Sequence, residues 1–320
     1  MLLSQMTAQQ VASLSWTVVP EPLIGAPFPS PIIADPTFLG PGSTPEGDWR
    51  MWAHSLIGLH ALRSDDGIAW RRSGTVARNA LRGYILATQS SPRYRLCYEK
   101  TRLFVPLGLP WRSRIESRGS DDLIHWQAPV TLLEPSLAWH VNGRSRSVSN
   151  PCLVELPDGR WRLYYSAGLT ALPDCGFSEP TYIGVAESVG VDGPFQTLPE
   201  PVLGPADGPA SLSAGAIKVL RVADGWVGFQ NAITWDGEHS GSEIWVLGSA
   251  DGLRWQVLSE APAIAPTGCG WMATHVYALD VRDTPVGPRM YFNARDGYHW
   301  SRGRERIGRA SCRERVYGLV

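Results

Sequence analysis

The sequence predicts an all-β fold, a five-bladed β-propeller with four-stranded antiparallel blades. Two observations support this prediction. A short phrase that joins a turn to an aromatic residue returns five times along the chain, and segments such as Trp161–Tyr165 alternate apolar and polar residues with the period of two typical of strands. Helical spacing with capping residues is hard to find, so we expect nearly all regular structure to be strand.

The recurring phrase places Asp and Gly in a tight turn and an aromatic residue at the start of the next strand. Its clearest copies span Ser64–Trp70, Ser120–Trp126 and Ser249–Trp255, and weaker copies span Ser188–Phe195 and Asp296–Trp300. Intervals of roughly 45 to 70 residues suit one four-stranded blade for each copy. The alternative, turns of a β-sandwich, fits five spaced copies poorly.

The repeats also divide the chain. Residues 1–30 are an N-terminal segment, and residues 31–306 are the propeller. The last blade has room for about three strands, so we expect Ser13–Val19 to supply the missing strand and close the ring, which removes an exposed edge. The predicted blades are 31–80, 82–135, 147–202, 211–262 and 271–306.

The C-terminal residues need separate treatment. Ile307–Val316 resembles the translation of a common sequencing-library adapter in one reading frame. We therefore expect residues 307–320 to be a non-native tail and exclude them from the fold prediction, as one excludes an expression scar.

Composition excludes several classes of function. The formal net charge is −1, so there is no basic surface for nucleic acid or for anionic lipid. The chain has no run of about 18 apolar residues that would cross a membrane and no leader pattern at its start. Its five cysteines form no C-x-x-C pair, which favours free thiols in a cytoplasmic protein. The oligomeric state is left open by the sequence.

A family resemblance enters at the start of the first predicted blade. Ile32–Leu39, which contains Asp35-Pro36, is followed by Trp49–His54. Together with the recurring phrases, this pairing resembles the arabinanase, levansucrase and invertase type of glycosidase, and most closely glycoside hydrolase family 43. The resemblance implies a five-bladed propeller with its site at the axis, and general acid/base cleavage of a small glycoside of the arabinofuranoside or xyloside type.

The resemblance also implies catalytic positions. Asp35 matches the family's general base, an Asp before Pro on the innermost strand of the first blade; a turn Asp is the plain alternative. The third-blade position, where the family has an Asp that tunes the acid, carries Asn150. The fourth-blade position of the general acid falls in Ser213–Ala216, which has no carboxylate.

Glycoside cleavage usually needs two carboxyl groups, so we look for a partner of Asp35 in the loops. Glu179 lies in the long insertion Leu172–Pro180, where its apolar neighbours Phe177 and Pro180 would raise its pKa toward that of a working acid. It is our candidate general acid. Glu99 stands beside Lys100 and near Arg102, which favours an ionised base or ligand, with a solvated ion pair as the plain alternative.

Polar and aromatic side chains on the same face are expected to bind the sugar. An aromatic ring can stack on a sugar face, and amide, imidazole and guanidinium groups can hydrogen-bond its hydroxyls. For the histidines a purely structural role is the plain alternative, and for Asp174 the alternative, which we favour, is a loop cap. The predicted substrate-binding residues are His54, Arg102, Arg146, Asn150, Asp174, Asn231, Trp271, His275, Asn293 and Arg295.

No cofactor is expected to be required, and the sequence shows no acidic cage for a metal. Many members of the family that the chain resembles hold a calcium ion or a water cluster at the axis, where His275 could contact it.

Two other functions compete with hydrolysis of a small-molecule or oligosaccharide substrate. A phosphorylase or transglycosylase on the same fold would replace water by phosphate or by another sugar, and Lys100, Arg102, Arg144, Arg146 and Arg295 could hold phosphate. The missing fourth-blade Glu instead favours a non-catalytic carbohydrate-binding propeller.

Overall fold

The computed structural model describes residues 2–102 and 110–312. Strands dominate this part of the chain, as predicted. It contains one α-helix, α1, which spans Ala8–Ala12 and is capped by the Thr7 side chain accepting from the Gln10 backbone N–H, and the first strand, β1, spans Trp16–Val18. No helix in the described ranges is long and apolar enough to cross a membrane.

The first two sheets each contain four antiparallel strands in sequence order. One is formed by β2 Ala34–Leu39, β3 Trp49–Ser55, β4 Gly58–Ser64 and β5 Arg71–Arg78. The other is formed by β6 Ala80–Ala87, β7 Tyr94–Thr101, β8 Ser113–Ser120 and β9 Val130–Leu133.

The middle of the chain forms another four-stranded sheet and two short hairpins. Its strands are β10 Val141–Asn142, β11 Ser145–Arg146, β12 Val148–Glu155, β13 Trp161–Ala167, β14 Thr170–Leu172, β15 Phe177–Glu179, β16 Tyr182–Ser188 and β17 Gln196–Thr197. The sheet order is β12-β13-β16-β17, while β10 pairs with β11 and β14 pairs with β15.

The remaining strands form one eight-stranded sheet that consists of two four-stranded groups. These strands are β18 Ser213–Val222, β19 Gly225–Trp235, β20 Ser240–Ser249, β21 Gln256–Val257, β22 His275–Arg282, β23 Arg289–Arg295 and β24 Glu305–Cys312, with β1 at the edge. The two groups are joined by one parallel pairing, of Ser242 with His275. Strand β1 pairs antiparallel with β24, with Trp16 opposite Cys312.

The predicted domain boundary at residue 306 lies within β24. Ile307 and Ala310 are completely buried, so the packed part of the chain extends past that boundary. Residues 313–320 lie outside the described residues, and the non-native origin of the tail stays a prediction.

The recurring phrase has the local structure that its residues predict. Ser64 Oγ accepts the backbone N–H of Gly67 at 2.9 Å, and Asp66 Oδ1 accepts those of Ile68 and Ala69, both at 2.8 Å. The copies that begin at Ser120 and Ser249 repeat these bonds. The turns also join neighbouring sheets, because buried Tyr hydroxyls donate to turn carbonyls, as from Tyr291 to Gly67 at 2.6 Å.

The first strand of each four-stranded group has a register shift near its beginning. Such bulges redirect side chains and often occur beside active sites. In four of these strands one residue at the shift has a positive φ: Asp35 (50°), Arg82 (51°), Asn150 (47°) and Gly215 (63°). The repeated bulge therefore brings equivalent positions of β2, β6, β12 and β18 to one place.

Candidate active site

A cavity of about 360 Å³ lies where these first strands begin. It collects residues from all five four-stranded groups and from the hairpin β14–β15. Seven predicted site residues line it: Asp35, His54, Asn150, Glu179, Asn231, Asn293 and Arg295. Lining residues that the sequence reasoning missed include Arg82, Trp111, Tyr277, Trp300 and Glu305.

Asp35 is held at the bulge of β2. Its backbone N–H donates to Asn293 Oδ1 at 3.0 Å, and its Oδ2 lies 3.3 Å from His54 Nδ1. Burial raises the pKa of the Asp35 carboxyl, and the cations Arg82 and Lys218 oppose that rise. Burial lowers the pKa of His54 to about 3, so its imidazole is neutral at physiological pH.

Glu179 reaches the cavity from the end of β15, and its side chain is 13% exposed. Burial raises its pKa to about 7; Arg82 and Arg295 oppose the rise, and Asp35 and Glu305 add to it. Glu179 Oε2 lies 3.9 Å from Arg82 Nη2. This carboxyl therefore keeps a proton near neutral pH, whereas an ordinary Glu is ionised there.

Arg82 is the cation at the centre of the site. Its Nη1 donates to Glu99 Oε2 at 2.7 Å, and Glu99 Oε1 accepts the Trp111 indole N–H at 2.8 Å. Glu99 is completely buried and does not line the cavity. This predicted catalytic candidate therefore lies behind Arg82, where it fixes the guanidinium that faces Glu179.

Glu305 is a third cavity carboxyl, at the first residue of β24. Its Oε1 lies 3.4 Å from Arg295 Nη1, and its Oε2 accepts from Asn293 Nδ2 at 3.5 Å. Burial raises the pKa of Glu305 to about 7, against the effect of Arg295. Asn293 thus joins the backbone of Asp35 to the side chain of Glu305.

The remaining polar lining comes from amide and guanidinium groups. Asn231 Nδ2 donates to the Val276 carbonyl at 3.1 Å, which fixes its side chain. The Arg295 guanidinium lies 5.3 Å from the centre of the Phe177 ring. Together with Trp111 and Trp300, these groups give a pocket with both hydrogen-bonding and aromatic walls, which suits a sugar.

Two predicted sugar ligands lie outside the cavity lining and are hydrogen-bonded to Ser240 instead. The Asp174 carboxylate accepts the Ser240 backbone N–H and its hydroxyl, both at 2.8 Å. His275 is completely buried, and its Nε2 lies 3.1 Å from Ser240 Oγ. The sequence could not show that both residues bond to Ser240, because Ser240 is distant from both along the chain.

Three further predicted ligands do not line the cavity. Trp271 packs its ring against Gly308 of β24 and stacks on Phe292 of β23 at 5.7 Å, and it is absent from the cavity lining. The side chains of Arg102 and Arg146 are exposed and absent from the lining. Arg102 directly follows β7, and Arg146 is the last residue of the two-residue strand β11. The aromatic lining is supplied instead by residues such as Trp111 and Trp300.

The residues present do not fit a calcium ion. His275 Nδ1 lies 3.0 Å from Thr274 Oγ1 and its Nε2 faces Ser240, so both ring nitrogens are engaged. Calcium prefers six to eight oxygen ligands, and the described residues contain no group of three or more His, Cys, Asp or Glu side chains arranged to hold a metal.

Comparisons with known proteins identify the fold. No protein-family model and no curated protein matches the chain. The catalytic domain of a Coprinopsis cinerea GH62 α-L-arabinofuranosidase is 14% identical, with a TM-score of 0.69 over 94% of this chain and 98% of its own. A thermostable family-43 glycoside hydrolase is 12% identical, with a TM-score of 0.58 over 86% of this chain and 88% of its own.

The same fold also occurs with another chemistry. An N-acetylgalactosamine deacetylase from F. plautii is 12% identical, with a TM-score of 0.64 over 93% of this chain and 94% of its own. At such low identity these likenesses show fold alone. The predicted resemblance to the family-43 type of propeller is confirmed at that level: the chain is an all-β protein with the propeller-type fold of glycoside hydrolases.

Proposed function

We propose that this protein is a glycoside hydrolase that uses Asp35 as general base and Glu179 as general acid. The observation that carries the proposal is that three carboxyl groups, those of Asp35, Glu179 and Glu305, face one cavity together with two guanidinium groups. Carboxyl groups in unequal environments are what acid/base cleavage of a glycosidic bond requires.

The two roles are assigned from the pKa of Glu179 and from the position of Asp35. Glu179, with a pKa of about 7, holds a proton near neutral pH and can donate it to the leaving oxygen. Burial raises the pKa of the Asp35 carboxyl as well, with Arg82 and Lys218 opposing the rise; its role as base is therefore proposed from its position at the bulge of β2, beside the neutral His54 ring, and from the family pattern. Two carboxyl groups that repel each other share their protons unequally, so one acts as acid and the other as base.

The proposed acid differs from the one that the family pattern implies. In the fourth four-stranded group, Gly215 occupies the expected region with a φ of +63°, and a Cβ there would lie 2.0 Å from the Asn231 carbonyl oxygen. That bulge therefore cannot accept a glutamate without rearrangement. Glu179 enters the cavity from the third group instead. Arg82, rather than Asn150, then tunes the two carboxyl groups.

The substrate class follows from the size and lining of the pocket. A volume of about 360 Å³ is near the lower end for ligand sites, and suits a small glycoside of the arabinofuranoside or xyloside type. Water, activated by Asp35, would attack the sugar carbon whose leaving oxygen receives the Glu179 proton.

Phosphate fits this cavity poorly. Arg82 and Arg295, the two guanidinium groups of the lining, are paired with Glu99 and Glu305. Arg102 and Arg146, which the phosphorylase alternative needs, lie outside the lining. Because each of these guanidinium groups already has a carboxyl partner, neither is free to bind phosphate, and we favour water over phosphate as the acceptor.

The second candidate is a non-catalytic sugar-binding protein. The observation that favours it is the absence of a carboxylate at Asn150 and Gly215, two positions that are catalytic in the family pattern. A binder would keep the amide, guanidinium and aromatic lining without needing the proton on Glu179.

We further propose that the four-stranded groups are the five blades of one ring, which β1 closes by adding the outer strand of the last blade. The pairing of β1 with β24 and the packing of β2 beside β22 and β23 support this arrangement.

The test is turnover of a panel of 4-nitrophenyl glycosides, with and without inorganic phosphate. Asp35→Asn and Glu179→Gln should each reduce kcat by about 10³-fold or more while the melting temperature stays high. Asp65→Asn, at a side chain that is 84% exposed, is the control. Full activity of Asp35→Asn would refute the assignment, a requirement for phosphate would indicate a phosphorylase, and sugar binding without turnover would indicate a binder.

A further inference from the structure

The hairpin β14–β15 carries Glu179 into the cavity by a short ladder. Only three residue pairs form it, with Glu179 opposite Thr170 at its base. So short a hairpin is marginal by itself and needs contacts with the rest of the protein. Its position decides how deeply Glu179 is buried.

Two sets of contacts hold the tip of the hairpin. Asp174 Oδ2 accepts both the backbone N–H and the hydroxyl of Ser240, at the start of β20. The Cys175 carbonyl accepts the backbone N–H of Trp300 at 2.9 Å. Gly176, with a φ of +73°, lies so close to His299 that a Cβ would be 2.6 Å from its Nε2. The tip is therefore held between β20 and the loop that precedes β24.

The hydrogen bonds through Ser240 run in one direction. The Ser240 hydroxyl has one proton, which it donates to Asp174, so its oxygen can accept from the His275 Nε2–H at 3.1 Å and from the Cys175 thiol at 3.2 Å. His275 Nδ1 is then the acceptor for the Thr274 hydroxyl at 3.0 Å. Burial lowers the pKa of His275 to about 4, so the neutral ring that this pattern needs is present at physiological pH.

This group contains Ser, His and Asp but is not arranged as a nucleophilic site. In such a site the histidine accepts the serine proton and the carboxylate binds the other ring nitrogen. Here the Ser240 proton goes to the carboxylate, and the Asp174 side chain makes no contact with His275 Nδ1. Ser240 is also 2% exposed, which leaves no access for a substrate.

We propose that Asp174, Ser240 and His275 form a positioning network that holds the hairpin tip so that Glu179 stays buried in the cavity. Through β22 the network is continuous with the cavity wall, because the His275 ring stacks on Tyr277 at 5.2 Å. The inference rests on the proposed function for its consequence, the protonated state of the general acid. The charged groups that face Glu179 are Arg82, Asp35, Glu305 and Arg295, and the hydroxyl of Tyr277 and the thiol of Cys175 also lie near it.

The test measures the pKa of Glu179 by carbon NMR in protein labelled at the glutamate carboxyl carbons, with no substrate present. Glu179→Gln and Glu305→Gln assign the two signals. Ser240→Ala should loosen the hairpin tip, expose Glu179 and move its pKa from about 7 toward 4.5. Because this substitution leaves every charge in place, a fall reports the position of Glu179 rather than a lost charge.

Glu305 is the internal control, because β24 holds it and the hairpin does not; its pKa should stay near 7. Ser240→Thr, which keeps the hydroxyl, should retain more of the wild-type Glu179 value than Ser240→Ala. An unchanged Glu179 pKa in both Ser240→Ala and Asp174→Asn, with only a lower melting temperature, would overturn the proposal. Since no turnover is measured, failure of the hydrolase assignment leaves this result intact.

Discussion

Arg82 is the residue on which the electrostatics of the site depend. It contacts Glu99 and Glu179, and its charge lowers the pKa of both Asp35 and Glu179. In the proposed mechanism, Arg82 therefore takes the role that an Asp has in the family pattern. The Arg82 charge favours the ionised form of both carboxyl groups. Burial favours the protonated form, and its effect is largest for the carboxyl group that is least accessible to water.

Replacing Arg82 should shift the pH dependence of activity. In Arg82→Met the pKa of both carboxyl groups rises, so both limbs of the kcat/KM profile move to higher pH on whichever nitrophenyl glycoside is turned over. Glu99 would remain buried without its partner, at a cost of about 3–5 kcal/mol. Combining the change with Glu99→Gln should recover part of that loss. Limbs that stay where they are in both variants would contradict the role given to Arg82, and Arg254→Met, at a side chain that is 94% exposed, is the control.

Glu305 should make the free energy of unfolding depend on pH. Its pKa rises from 4.5 in the unfolded chain to about 7 in the folded protein, so its protonated form stabilises the fold below pH 4.5 and that contribution is lost as the pH rises through 7. The loss amounts to about 3 kcal/mol. Glu305→Gln lacks this titration. Urea unfolding at pH 5 and pH 8 should therefore show a smaller decrease for Glu305→Gln than for the wild type, and Glu200→Gln, at an exposed position, should behave as the wild type does.

At the scale of single strands, a bulge lies at the start of the first strand of each four-stranded group. This bulge explains which cavity-lining residues could be predicted from the sequence. Asp35-Pro36 carries a family signature and was predicted to face the cavity. Arg82 occupies the equivalent bulge of β6. It was not predicted, because only carboxyl groups were considered as partners of Asp35. The recurring bulge was the signal that could have identified Arg82, because a position repeated in each four-stranded group is expected to face the same cavity each time.

Other features depend on distant parts of the chain and could not be predicted. Glu305 lies at the predicted end of the propeller, and its exposure to the cavity follows from the pairing of β24 with β23. The Trp271 ring is of a type that can stack on a sugar face, but it packs on Gly308 instead. Glu99 was predicted from its basic neighbours Lys100 and Arg102, whereas its partner is Arg82, 17 residues earlier.

The bulge of β18 should tolerate no side chain. Gly215→Ala places a Cβ 2.0 Å from the Asn231 carbonyl oxygen and forces a non-glycine residue to a φ of +63°. The strain should lower the free energy of unfolding by at least about 2 kcal/mol. Gly74→Ala, in the exposed strand β5, has nothing within 4 Å of the added Cβ and is the matched control. Equal midpoints in urea for the two variants would show that the bulge is adaptable.

At the scale of the whole molecule, the N-terminal segment connects the two groups of the eight-stranded sheet. Leu3 and Val11 are buried among residues of β19, β20, β22 and β23, and Trp16 meets the Phe229 ring edge-on at 6.1 Å. Backbone contacts reinforce this, since the Leu3 N–H donates to Asp283 and the Ala223 N–H donates to the Met6 carbonyl. The segment thus covers apolar surface and also supplies the edge strand β1.

Deleting residues 2–18 should therefore destabilise the protein and expose a strand edge. Loss of Leu3 and Val11 burial alone costs about 3–6 kcal/mol. Strand β24 would lose its partner β1, and an uncovered edge invites pairing between chains. We expect a lower melting temperature together with larger species in size-exclusion chromatography. Val189→Ala, at a side chain that is 84% exposed, should change neither. A deletion variant that melts and elutes as the full chain does would show that β1 is dispensable, and that the ring proposed here is held without it.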